Sequence, residues 1–191
     1  CKEICFTRVV CEIKPQKEDP NQTRITVAGN RIIFPGEVAT PTASLELVKL
    51  LINSVLSRPK ARFCSFDIAN FYLGTPMERP EYVKIKLEDI PQEFINMYNL
   101  TAKVKNGYVC IEMQKGMYRL PQAGILANKL LKDRLAKHGY TKLKHTPGLF
   151  KHKTHPVSFA LVVNNFGIKY KGVEHLKHLM DILKMFYDVE V

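Results

Sequence analysis

The run "SFALVVNNFGIKY" (158–170) constrains the fold more than any other stretch of the chain. Apolar and β-branched residues lead into two adjacent asparagines, and a second short strand-like run follows. Asparagine tolerates left-handed backbone angles and turns readily, so a β-hairpin is expected here with Asn164-Asn165 at its tip. Such a hairpin commits the chain to antiparallel pairing, and the remaining segments must supply its neighbours and its cover.

Strand and helix patterns alternate along the rest. "ICFTRVVCEIK" (4–14) and "TRITVAG" (23–29) read as two strands joined by the turn material "PQKEDPNQ", a hairpin with a basic rim. Residues 40–57 read as a helix with Leu45, Val48, Leu51, Ile52 and Val55 on its apolar face and Pro59 closing it. "FCSFDI" is a short apolar strand with one acid, Asp67, near its end. "EYVKIKL" (81–87) and "YVCIEMQ" (108–114) are further strands, with a short helix in "PQEFINMYN" between them. A long helix opens with Pro121 in its first turn and stops at Gly139. "VEHLKHLMDILKMFY" is an amphipathic helix with Leu176, Leu179, Met180 and Leu183 inward. The final "FYDVEV" reads as the start of a strand. The order indicates an α+β fold, an antiparallel sheet backed by helices beside a strand-rich lobe.

The chain has 191 residues and a formal net charge of +11, from 29 Lys+Arg against 18 Asp+Glu. The basic residues are spread along the chain, which points to a folded groove for a polyanion such as nucleic acid. No apolar run is long enough to span a bilayer, so no membrane partner is expected. No signal peptide opens the chain, which suggests an intracellular protein. The missing initiator Met and the unpartnered last strand suggest a piece of a longer protein. The five cysteines (Cys1, Cys5, Cys11, Cys64, Cys110) include no C-x-x-C pair. Cys5, Cys11, Cys64 and Cys110 lie within or beside apolar strand-like runs and read as buried free thiols in a reducing compartment, and a zinc site on Cys1, Cys5 or Cys11 with a distant His has the wrong spacings.

Asp67 stands among Phe63, Phe66, Ile68 and Phe71, where an unpaired carboxylate is costly. Locally it is either a strand-end cap or a metal ligand. The order "FCSFDIANFYL", "GMYRLPQAGILANKL", "HTPGLFKH", "LVVNNFGIKY" resembles the reverse transcriptase domain of Ty1/copia-type retrotransposons, over nearly the whole chain. The resemblance implies a right-hand polymerase fold, with fingers at roughly 1–60 and 78–116, palm at 61–77 and 117–191, and no thumb. It implies RNA-directed DNA polymerase activity within a polyprotein, with primer–template and dNTP as partners. The location it implies is the cytoplasm or a virus-like particle.

In that family a strand Asp and an Asp-Asp hairpin tip hold two Mg²⁺, about 3.5–4 Å apart, that activate the primer 3′-hydroxyl and stabilise the leaving pyrophosphate. By the resemblance Asp67 fills the strand position, and Asn164 and Asn165 stand where two carboxylates belong. One formal negative charge remains where the family has three. Mg²⁺ leans on carboxylates, so this copy is expected to hold its ions poorly and to be catalytically impaired, while the fold survives. Decay of the copy and an artefact of a translated genomic sequence fit this pattern alike.

The resemblance carries further roles. Tyr72 matches the aromatic that lies under the incoming sugar, with core packing as the plain alternative. Gln122 matches the amide that contacts the sugar, and is otherwise a first-turn helix residue. Arg24 matches the fingers cation over the triphosphate, with Lys14 or Lys17 as helpers or, more simply, as a solvated rim. Arg119 departs from the family, where Gly commonly precedes "LPQA", and a long cation there is expected to crowd the pocket. The pairs His152/His155 and His175/His178 lack an acid or Cys to complete a ligand set and read as solvated faces. Two further functions remain beside an active polymerase. One is a silent remnant that still binds nucleic acid or nucleotide. The other is an antiparallel-sheet RNA-binding module, which lacks the aromatic-rich strand such modules use.

Overall fold

The computed structural model describes residues 4–15 and 19–190. In chain order the elements are β1 (Ile4–Ile13), β2 (Asn21–Val27), α1 (Leu45–Leu56), β3 (Arg62–Ile68), β4 (Pro76–Lys86), α2 (Gln92–Met97), β5 (Tyr108–Lys115), α3 (Ala123–Lys137), β6 (Tyr140–Lys142), β7 (Leu149–His152), β8 (Val157–Val162), β9 (Asn165–Tyr170), α4 (Val173–Lys184) and β10 (Val189–Glu190). The fold is mixed α+β. No helix among the described residues is long and apolar enough to cross a membrane.

The chain divides into two compact units, residues 1–38 with 72–126, and residues 39–71 with 127–191. The first unit carries a four-stranded sheet in the order β2-β1-β4-β5. Its outer pairs are antiparallel, but β1 and β4 run parallel, with Cys5 beside Val83. Its core gathers Cys5, Val27, Ile32, Val83, Leu120 and Ala123, with Tyr72, Met77, Met113 and Met117 packed against them. Cys5 is the buried thiol the sequence led one to expect, whereas Cys11 and Cys110 are exposed and Cys64 is half-buried. Alternation accounts for Cys110, which lies on the face of β5 opposite the buried Val109.

The second unit is built on a six-stranded sheet in the order β10-β3-β9-β8-β7-β6, antiparallel at every pairing. Even-numbered residues of β3 and β9 point to the core: Phe66 stacks on Phe166 with ring centroids 4.8 Å apart, and Ile68 and Ile168 are fully buried. Asp67 and Asn165 are direct partners and therefore share the opposite face. β10 pairs with β3, so the terminal strand lies beside Asp67 and has a partner after all.

Helix α1 belongs to this second unit. Residues 39–60, grouped by sequence with the fingers, cluster instead with the sheet that bears Asp67, because α1 packs on β3, β8 and β9. The helix starts later than residue 40, at Leu45, where the Ser44 hydroxyl accepts the Leu47 N–H, a cap worth about 1 kcal/mol. Its packed stripe is Leu47, Val48 and Leu51 against Ala43, Leu149 and Ala160, whereas Leu45 and Ile52 are exposed. In α4 the buried residues are Leu179, Ile182 and Leu183, with Leu176 and Met180 only half-buried. Gly148, in "HTPGLFKH", has φ 76°, and a Cβ there would stand 2.1 Å from the Ala43 nitrogen. Only glycine lets that turn approach the segment leading into α1.

Candidate functional site

Asp67, Asn164 and Asn165 come together in the second unit. β3 presents Asp67, half-buried, next to the end of the β8–β9 hairpin. The turn itself differs from the expected one by a residue. Val162 pairs with Asn165, so the two turn residues are Val163 and Asn164, and Asn165 is already the first residue of β9. Val163 adopts φ 60°, a left-handed conformation that a β-branched residue takes only under strain.

Asn164 braces this turn. Its carbonyl accepts the Ile68 N–H at 3.1 Å, and its Nδ2 donates to the Ile68 carbonyl at 3.1 Å and to Asp67 Oδ2 at 3.4 Å. Asn165 Nδ2 in turn donates to Asn164 Oδ1 at 3.3 Å. The two amides thus form a chain of donors that ends on the Asp67 carboxylate. A cation facing Asp67 would meet the N–H side of Asn164 where an anionic oxygen is needed. Rotating that amide would set its oxygen against the Ile68 carbonyl and the Asp67 carboxylate. Among the described side chains at this turn, Asp67, Asn164 and Asn165 do not make a donor set that fits a pair of Mg²⁺ ions.

The other expected residues lie in the first unit, where a ring not singled out in the sequence, Tyr118, joins two of them. Arg24 Cζ lies 5.7 Å from the centre of the Tyr118 ring, and Tyr118 meets Tyr72 edge-on at 5.5 Å. Burial, and to a lesser degree Tyr118, raises the Tyr72 phenol above its ordinary pKa. Arg24 also donates from Nη2 to Gln22 Oε1 at 3.1 Å. The signal for Tyr118 was its place in "GMYRLPQ", four residues before Gln122. Tyr72 is half-buried against the unit's core, so packing and ring contact coexist at this position.

Gln122 is buried at 1 % exposure and precedes α3, which starts at Ala123. Its Nε2 donates to Oε1 of the equally buried Glu81 at 3.0 Å, whereas its own Oε1 has no partner among the described residues. Arg79 lies 3.6 Å from the same Glu81 oxygen. Lys14 does not join Arg24 and Tyr72; it pairs with Glu12 at 3.6 Å on the hairpin rim. Lys17 and Cys1 lie outside the described residues. Arg119 is exposed and has φ 70°, the left-handed region that favours glycine. Its carbonyl would lie 1.7 Å from a Cβ on Gly29, so this turn is closely packed on its backbone side.

The two histidine pairs are not solvated faces. His152, His155, His175 and His178 are all half-buried, and His155 makes ring contacts with the other three at 4.3–4.9 Å. No protein-family model and no curated protein matches the chain.

Proposed function

We propose that the chain is a reverse transcriptase-type domain of the Ty1/copia kind whose hairpin metal site is silent. Its relatives join nucleotides on a primer–template. This copy retains a basic surface for nucleic acid or nucleotide without the charges that nucleotidyl transfer needs. The observation that carries the reading is the meeting of Asp67 with Asn164 and Asn165 on adjacent strands of one antiparallel sheet. A strand acid beside a tight hairpin is the arrangement the resemblance calls for, and amides at both hairpin positions are what silences it. The Arg24–Tyr118–Tyr72 contact supports a nucleotide-facing role for the first unit, because a guanidinium suits phosphate and a ring suits a sugar.

The test is Mg²⁺-dependent dNTP binding by the chain beside its Asn164→Asp/Asn165→Asp variant. Binding that requires Mg²⁺ only in the double variant is expected. Equal Mg²⁺-dependent binding by both would refute the silencing, and indifference of the double variant to Mg²⁺ would refute the location of the site. Nucleic-acid binding by the unaltered chain is expected to need no Mg²⁺ and to fall steeply as salt rises.

A further inference from the structure

Four of the six histidines meet where the loop before β8 faces the first turns of α4. They come from two copies of one spacing, "HKTH" (152–155) and "HLKH" (175–178). One ring nitrogen from each of His152, His155 and His178 lies within 4.8 Å of the others.

The hydrogen bonds decide which nitrogens are available. His152 is fully committed: Nε2–H donates to the His138 carbonyl at 2.9 Å, and Nδ1 accepts the N–H groups of Thr154 and His155 at 3.0 and 2.8 Å. It holds the loop in shape and has no lone pair to spare. His155 and His178 differ, since each is engaged through Nδ1. His178 Nδ1 lies 3.1 Å from the Tyr140 hydroxyl, and His155 Nδ1 lies 2.8 Å from His175 Nδ1. His175 Nε2 is in turn 3.5 Å from Glu174 Oε1.

Tyr140 can donate to His178 Nδ1 or accept from it, and a bound metal ion selects the second arrangement. His175 gives Nε2–H to Glu174 and accepts at Nδ1 from the Nδ1–H of His155, while His178 gives Nδ1–H to the Tyr140 oxygen. Both His155 and His178 then carry a lone pair on Nε2. A metal-binding imidazole is arranged in this way, its second nitrogen donating to an outer partner that fixes ring and tautomer.

We propose that this cluster is a site for one divalent transition-metal ion of the imidazole-seeking class, Ni²⁺, Cu²⁺ or Zn²⁺, with His155 and His178 as ligands through Nε2. Tyr140 and the Glu174–His175 pair are the positioning residues, and His152 braces the loop. The remaining coordination positions belong to water or a small anion, for which there is room. His152 and His155 border a cavity of about 490 Å³ also lined by Arg58, Lys151, Lys169 and Lys171. Those cations oppose a metal ion, so a micromolar rather than a nanomolar site is expected. The bound ion ties the loop to α4 and raises the melting temperature.

The test is titration of the untagged chain with Ni²⁺ at pH 7.5 by calorimetry, together with imidazole ¹H–¹⁵N spectra. One saturable ion per chain is expected, shifting Nε2 of His155 and His178 and leaving His145 unmoved. His178→Ala is expected to weaken binding at least 100-fold, and Tyr140→Phe, which keeps the ring but not the oxygen, about 10-fold. His145→Ala is expected to change nothing. Absence of saturable binding, shifts confined to His145, or unchanged affinity in both Tyr140→Phe and His178→Ala would overturn the proposal. So would inorganic phosphate, rather than Ni²⁺, moving the His155 and His178 resonances, since the basic cavity would then be an anion site.

Discussion

At its turn, the β8–β9 hairpin sets Asp67 against two amides that donate hydrogen bonds toward it. At its open end, where β8 begins and the chain leaves for α4, imidazoles from two segments share protons in a chain that starts at Glu174. On the reading proposed above, one end is an ion site with the wrong donors, while the other has suitable donors in a place no resemblance indicated. Asn serves a turn as well as Asp does, so the backbone arrangement does not depend on the carboxylates. Donors can also collect wherever two short histidine spacings happen to face each other.

The sheet between the two ends is what the comparison depends on, so the largest effect is expected there. Phe166 is buried between Phe66 and Phe159, and Phe166→Ala is expected to cost about 3–5 kcal/mol in urea unfolding. A cost below about 1 kcal/mol would mean that the two ends are not joined by a packed core.

Next comes the turn end. Asn164 Nδ2 bonds to two oxygens, and Asn164→Asp replaces that donor with a carboxylate facing them. The Asn164→Asp/Asn165→Asp variant is therefore expected to lose about 1–3 kcal/mol without metal and to recover with millimolar Mg²⁺. Recovery without Mg²⁺ would break the contrast between the ends. Val163→Gly should act the other way. It relieves the positive φ and is expected to stabilise the chain by about 1 kcal/mol, measured as a higher urea midpoint with unchanged slope.

The smallest expected effect is at the open end. Burial is the main reason that His152 and His178 have lowered pKa values; for His152 the bond to the His138 carbonyl partly opposes it, and repulsion from the neighbouring imidazoles adds to it at both. A histidine harder to protonate when folded makes the unfolded chain the better proton binder. Stability is then full above the ordinary value of 6.5 and falls as the pH drops below it. The urea midpoint is expected to decline from pH 7.5 to 5.5, and less so in His178→Gln. An increase over that range would show that the cluster gains charge on folding, contrary to the proton assignment.

Much of this architecture was legible in the sequence because it is local. Alternation marked β4 and β5, short apolar or strand-like runs marked β3, β8 and β9, and Pro121 and Gly139 bracketed α3. What escaped was set by partners distant in the chain. The turn fell on Val163-Asn164 because the Val162–Asn165 pair continues the ladder, and propensity alone does not weigh that. The face of α1 rotated from Leu45 to Leu47 because Leu149 and Ala160 wait on that side. The burial of Gln122 against Glu81, the parallel β1–β4 pair and the meeting of the two histidine spacings all join residues more than 15 positions apart. At the candidate site, Asp67 and the two asparagines were legible through the motif order. Tyr118 stood in a quoted motif, but its link between Arg24 and Tyr72 joins distant segments and shows only in three dimensions.

The central claim is that the hairpin end has the geometry of an ion site and has lost its donors. Its most direct test is a Mg²⁺ titration followed by backbone amide resonances of the chain and of the Asn164→Asp/Asn165→Asp variant. The unaltered chain should show no saturable shifts at Asp67, Ile68, Asn164, Asn165 or Phe166, and the variant should show them at those residues. Saturable shifts there in the unaltered chain, or their absence from the variant, would contradict the account.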